Sequence, residues 1–213
     1  MTPNDPIQQS KWSSDAETLN TVQWLHDLAA KQRIMPVAIT GGVWGSFREG
    51  RLGICVLETN NLYQIVDAQN AGGARFKWDV HPLPKMKKGT YQPIGAFAYG
   101  LSRNTKNPDL TWELYKNIVG PEGQTDWYRL AKFAPSIKSL LTGAYVQDKD
   151  TPSNKKAIVD AILAARPMPR HPLWIDIDKV VVEVLAAIRE TKVGVREGLQ
   201  DIDRRVNAIV QKK

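Results

Sequence analysis

The sequence predicts a helix-rich α/β fold, and three observations carry that expectation. Apolar residues recur at helical spacing near the N-terminus and through most of the last third of the chain. Between those stretches lie short apolar runs of strand length, bounded by glycine and proline. The composition, 42% hydrophobic and 24% charged over 213 residues, suits a chain that buries one substantial core or two smaller ones.

Residues 13 to 33 read as an amphipathic helix. Ser14-Asp15-Ala16-Glu17 has the capping-box pattern, Leu19, Val22, Leu25, Leu28 and Ala29 follow at helical spacing, and Pro36 ends the run. Thr40-Gly41-Gly42-Val43-Trp44-Gly45 reads as a glycine-rich turn, and Leu52 to Leu57 as a buried strand. At its C-terminal end stand Glu58, Thr59, Asn60 and Asn61, where open α/β sheets present their ligand-contacting loops. A short helix over Leu62 to Ala68 is broken by Gly72-Gly73.

Phe76 to Leu83, with Trp78 and Val80 alternating against charged neighbours, reads as a strand stopped by Pro82 and Pro84. Lys85 to Gly89 is the linker candidate, and Gly95 to Ser102 a glycine-bounded strand. Asn107-Pro108 supplies an N-cap and a first-turn proline to a helix carrying Leu110, Leu114, Tyr115 and Ile118 on one face. Gly120-Pro121-Glu122-Gly123 opens another through Trp127 and Leu130, after which Ala134-Pro135-Ser136 turns the chain. Helices are then expected near 153 to 165, 174 to 190 and 195 to 211. In the last of them Val195, Leu199, Ile202, Val206 and Ile209 form a narrow stripe, the mark of one docked helix.

Several chemistries find no support. No apolar stretch approaches the roughly 18 residues of a membrane-spanning helix, and Met1 to Pro6 lacks the features of a secretion signal. The lone Cys55 excludes an internal disulfide or a Cys-x-x-Cys pair. The net charge of +7 is dispersed, with no aromatic-interleaved basic stripe, so no nucleic-acid partner is expected. His26, His81 and His171 lack metal-ligand spacing, and no metal or cofactor is expected. Gly45-Ser46-Phe47 is no nucleophile elbow, and Gly41 to Gly45 fits neither a phosphate loop nor a dinucleotide turn. The pairs Asp176 with Asp178 and Asp201 with Asp203 point to different helix faces and read as solvated surface. What stands out is aromatic content at loop and turn positions: Trp44, Tyr63, Tyr91, Phe97 and Trp174. Such rings either fill a core or offer flat faces to a sugar.

Order and motif then bring a family into view. Val22-Gln23-Trp24-Leu25-His26-Asp27-Leu28, Phe47 to Ile54, Asp79-Val80-His81-Pro82-Leu83-Pro84 and, above all, Gly100 to Leu114 resemble extracellular solute-binding proteins of ABC importers, in the sugar-binding group. Gly120-Pro121-Glu122-Gly123-Gln124, Ala134-Pro135-Ser136 and the tail from Val195 to Asn207 continue the match in order. The resemblance is to the C-terminal half of a two-lobed periplasmic-binding-protein-like (type II) fold. It implies that residues 1–90 belong to the C-terminal lobe, 91–145 to the N-terminal lobe, and 146–213 to a helical return to the C-terminal lobe.

The resemblance implies a binding component and not an enzyme. Its ligand would be a small-molecule solute, expected to be a carbohydrate. Glu58, Thr59, Asn60 and Asn61 would hold hydroxyls, with backbone groups of Gly95 and Ala96 and stacking on Phe97, Tyr63 or Trp174. The usual tryptophan platform of many relatives is replaced here by Glu58-Thr59-Asn60-Asn61. Expected partners are the importer's membrane subunits, together with a missing N-terminal half or a second copy. The full-length parent would be extracytoplasmic, although this chain as written carries no signal peptide. The competing reading, from another class, is a helical protein-interaction module without a small-molecule ligand.

Overall fold

The computed structural model describes residues 7–37, 42–56, 58–72, 76–85, 90, 92–96, 98–168 and 171–211. In chain order the helices are α1 (Ala16–Ala30), α2 (Gly42–Arg48), α3 (Leu62–Asn70), α4 (Pro108–Val119), α5 (Pro121–Ala131), α6 (Lys138–Leu140), α7 (Lys155–Ala164), α8 (Trp174–Arg189) and α9 (Val195–Val210). A 3-10 turn, Thr59–Asn61, leads into α3, and a π-helical turn, Leu141–Tyr145, continues α6. The strands β1 (Pro93–Ile94) and β2 (Arg166–Pro167) pair in parallel, Pro93 opposite Arg166 and Ile94 opposite Pro167. The chain divides into two compact units, Met1–Thr40 with Met168–Lys213, and Gly41–Pro167.

The first unit is built by α1, α8 and α9. The periodic stripe of α9 is buried as expected: Val195, Leu199, Ile202 and Val206 meet Ile177, Val180, Val184 and Ile188 of α8. Each such side chain contributes about 1.5–3 kcal/mol on burial. Close approach requires Gly198, because a Cβ there would lie 2.6 Å from Ile188 Cδ1. Leu19 and Val22 of α1 pack against the same core. The cap of α1 sits one residue later than the capping box predicts. The Asp15 carboxylate reaches the Thr18 N–H at 2.9 Å, while the Ser14 hydroxyl donates to the Lys11 carbonyl.

Asp203 corrects the solvated-surface reading. Its carboxylate accepts from Ser10 Oγ (2.5 Å), Trp12 N (2.8 Å), Ser13 N (2.8 Å) and Ser13 Oγ (2.6 Å). Asn207, one turn on, accepts from Ser10 N at 2.7 Å and donates to Ser10 O at 3.1 Å. Spacing within α9 could not reveal these partners, which lie some 190 residues away in sequence. Asp201 does face outward and pairs with Arg204 and Arg205.

The second unit is organised around Leu62, Tyr128, Leu141, Tyr145, Ile158 and Val159, from α3, α5, the π turn and α7. Two polar clamps set its loops. Gln124 Oε1 accepts from Ser136 N (2.8 Å) and Ile137 N (3.1 Å), while Nε2 donates to Val119 O (2.8 Å). Asp79 accepts from Ser153 Oγ (2.5 Å) and Asn154 N (3.0 Å), fixing the segment ahead of α7. Lys155 is buried, its ammonium donating to Asp150 O at 2.5 Å and Asp148 O at 3.2 Å and facing the Asp148 carboxylate at 3.6 Å. Burial pushes its pKa below the usual lysine value, partly offset by Asp148.

The middle of the chain departs most from expectation. Gly42–Arg48 is helical, which corrects the glycine-rich turn expected over 42–45; residues 40 and 41 lie outside the described residues. Residues 52–56 form no strand, and Ile54 and Val56 are 92% and 71% exposed; Leu57 lies outside the described residues. Residues 76–83 and 98–102 are likewise irregular, with strand structure only at Pro93–Ile94, before the predicted Gly95 to Ser102. The reason is physical: a strand exists only by pairing, and among the described residues neither 52–56 nor 76–83 enters a backbone ladder. Four residues of the linker candidate, 86–89, are outside the description.

Candidate functional site

Leu62 and Ile65, both fully buried, hold α3 against the core of the second unit. That anchorage forces the preceding loop and the next residue in the helix to its margin. Glu58 is exposed and precedes the 3-10 turn in an extended conformation, its carbonyl accepting from Asn61 N at 3.0 Å. Thr59, Asn60 and Asn61 are half-buried. Asn61 Oδ1 accepts from Gln64 Nε2 at 3.2 Å, whereas Asn60 Oδ1 is buried with no hydrogen-bond partner among the described residues. A buried amide oxygen left unpaired costs about 1–3 kcal/mol, so it is a group that a donor would stabilise.

Tyr63 opens a line of rings. Its ring meets Phe133 edge-on at 6.0 Å, Phe133 meets Trp127 at 5.5 Å, and Trp127 meets Tyr99 at 6.4 Å. Trp127 and Tyr99 remain 39% and 49% exposed. Phe133, Trp127 and Tyr99 were not among the sequence-predicted site residues. Trp127 reads in sequence only as part of an amphipathic helix, and the left-handed Lys132 (φ 61) that ends α5 is what swings Phe133 back beside it. Gly95 and Ala96 follow β1 directly and are exposed. Phe97 and Tyr91 lie outside the described residues. Trp174 belongs to the first unit, where it is half-buried against the α8–α9 core.

Elsewhere, a shallow groove between α8 and α9 is lined by Glu183, Asp201, Arg204 and Arg205 and contains none of the predicted site residues. Its charges answer each other: Arg205 binds both oxygens of Glu183 at 3.0 Å and Asp201 at 3.3 Å. The Arg205 hydrogen bonds hold the Glu183 pKa below its ordinary value. Among the described residues no cluster of His, Cys, Asp or Glu could hold a metal ion, and no helix is long and apolar enough to cross a membrane.

The fold is that of about half of a type II periplasmic binding protein. The structure is similar to the maltose-maltodextrin binding protein of the thermoacidophilic bacterium Alicyclobacillus acidocaldarius, with a TM-score of 0.70 at 20% identity, covering 93% of this chain and 51% of that one. The chain thus spans about half the length of the solved protein it matches. The model of the bacterial extracellular solute-binding proteins matches residues 6–154, and the chain belongs to that family. No curated protein sequence matches it.

Proposed function

We propose that this chain is part of the solute-binding component of an ABC import system, that its solute is a carbohydrate, and that it binds without catalysing a reaction. The observation that carries the reading is the join of a polar loop to a line of rings. Exposed Glu58 stands shortly before Tyr63, from which Phe133, Trp127 and Tyr99 continue. Rings with free faces suit the C–H faces of a sugar, and carboxylate and amide oxygens suit its hydroxyls. Family membership supports a captured solute, and the structural neighbour's maltose and maltodextrin supply the ligand class to try first.

In this reading the rest of the two-lobed fold supplies the remaining contacts, the backbone groups of Gly95 and Ala96 belong to the same ligand wall as Glu58, and the parent protein works outside the cytoplasm beside the importer's membrane subunits. The lobe boundaries implied by the resemblance, at about residues 90 and 145, belong to the same proposal. A purely helical interaction module is not favoured, because it explains neither the family match nor the fold likeness. Titrating maltose and maltodextrins into the purified chain while following tryptophan fluorescence tests the reading. The expected result is saturable binding in the millimolar class, roughly −4 kcal/mol, since part of a cleft gives part of the contacts. Saturable binding of an amino acid or polyamine, with none of any carbohydrate, overturns it.

A further inference from the structure

We infer that Lys132 is a positioning residue of the ring wall: its side chain holds the left-handed turn that returns Phe133 to Trp127. Its bearing on binding rests on the carbohydrate reading above. Helix α5 ends at Lys132, whose φ of 61° lies in the left-handed region, unfavourable for a residue with a Cβ and open to glycine. That turn decides where the next ring goes. Had α5 continued, Phe133, which follows Trp127 by six residues, would stand about 9 Å further along the axis and roughly 120° round it. Instead its ring lies 5.5 Å from Trp127 and 6.0 Å from Tyr63.

Side-chain contacts supply what the backbone alone does not favour. Lys132 is 8% exposed, although lysine is almost never buried unless its charge is answered. Its ammonium donates to the Arg129 carbonyl at 2.8 Å, one of the last carbonyls of α5 and so without a partner inside the helix. It also faces Asp150 Oδ2 at 3.7 Å. Asp150 is fixed in turn, its carbonyl accepting from the buried Lys155 at 2.5 Å. At the other end of the segment Gln124 accepts from Ser136 N and Ile137 N. Phe133 therefore sits between two polar pins, and Lys132 is the one that sets the backbone immediately before the ring. Glycine at this position would need no pin, because it takes a positive φ readily. A lysine that merely fills space would behave in the opposite way, being replaced better by methionine than by glycine.

Maltodextrin titration of the full chain, together with the nuclear Overhauser contact between the Trp127 indole and the Phe133 ring, tests this, with far-UV circular dichroism checking the fold. Lys132→Gly should keep the ring contact and an affinity within about threefold of wild type. Lys132→Met, similar in length but without the charge, should remain helical yet lose the contact and about tenfold in affinity. Lys138→Met, at an exposed lysine of α6, is the control and should change neither. A methionine variant with the wild-type contact and affinity overturns the inference, and so does a folded glycine variant without the contact. A lost contact with unchanged affinity also overturns it, since the ring then does not serve binding. If the methionine variant does not fold, the glycine variant decides alone. A wild-type chain that shows the contact but binds no carbohydrate overturns the carbohydrate reading instead, and the ring contacts of the variants still decide what Lys132 does.

Discussion

Gln124 and Ser136 are held together by a reciprocal pair of hydrogen bonds, the Ser136 N–H donating to Gln124 Oε1 at 2.8 Å and Gln124 Nε2 donating to Ser136 Oγ at 3.0 Å. Two of the sequence motifs that carry the family resemblance are thereby one structural feature. The Gly120 to Gln124 turn opens α5, and its glutamine receives Ser136 and Ile137 where the chain folds back from the far end of that helix to its start. Gly123 belongs to the same device. A Cβ there would come within 2.1 Å of the Asn117 carbonyl, so only glycine lets α5 start so close to the end of α4.

Gln124→Ala should destabilise the second unit by about 1–3 kcal/mol, because it leaves the Ser136 and Ile137 amides without their acceptor. Urea denaturation followed by circular dichroism reads the shift. Gln124→Glu keeps the acceptor and loses only the donors to Val119 O and Ser136 Oγ, so it should fall between wild type and alanine. An alanine variant as stable as wild type would mean that solvent replaces the clamp at no cost.

Asp203→Asn should weaken the first unit by about 2 kcal/mol at neutral pH, since charge-assisted bonds to the 10–13 segment lose their charge. Burial raises the pKa of this carboxylate, and the donors from Ser10, Ser13 and Trp12 outweigh that, holding it below the ordinary 3.8. A depressed folded-state value places the stabilisation above the unfolded pKa and removes it as pH falls through the folded one. The gap between wild type and variant should therefore be full at pH 5 to 7 and shrink below about pH 4. A gap that does not vary with pH would assign the effect to shape alone.

Gly198→Ala should cost about 1–3 kcal/mol, the usual range for overpacking. The added methyl meets Ile188 Cδ1 at 2.6 Å and Val184 Cγ1 at 3.3 Å. Pairing it with Ile188→Val relieves part of the overlap, so the double variant should be more stable than the two single effects added together. Strict additivity would place the strain elsewhere.

Glu58→Ala, in a protein that captures the carbohydrate, should weaken affinity roughly ten- to a hundredfold, about 1.5–3 kcal/mol, with little change in unfolding. The carboxylate is exposed and makes no side-chain cap to the 3-10 turn, so the fold does not depend on it. Calorimetric titration beside a thermal melt separates the two quantities. Unchanged affinity removes Glu58 from the ligand wall.

Helices and strands were unequally legible in the sequence for a reason that lies in their bonding. The runs around α4, α8 and α9 carry their hydrogen bonds within themselves, so periodicity and caps place them within a residue or two of where they lie. The segments 52–57, 76–83 and 95–102 have strand composition, but strand formation is decided by a neighbour, and composition does not contain the neighbour. The same limit applies to single residues. Asp203 reads as a solvated carboxylate when only α9 is considered, and as a clamp once Ser10 and Ser13 are beside it. Of the candidate site, the loop Glu58 to Asn61 could be picked out as the end of a strand that residues 52–56 do not form, and Tyr63 as a ring at a turn position, although it lies in the first turn of α3. Phe133 and Tyr99 could not, since nothing local links positions 63, 99 and 133.

The Asp203 clamp also sets the timing of assembly during synthesis. Ser10, Trp12 and Ser13 leave the ribosome well before the carboxylate that receives them, and before the α8 and α9 surfaces on which Leu19 and Val22 settle. At about 5–20 residues per second, α1 waits roughly 10–40 s with its apolar side uncovered. Meanwhile the second unit, contiguous from Gly41 to Pro167, emerges whole and can fold ahead of it. The segment from Ser10 through α1 therefore stays uncovered until α9 is made, and it is a stretch that a chaperone would protect.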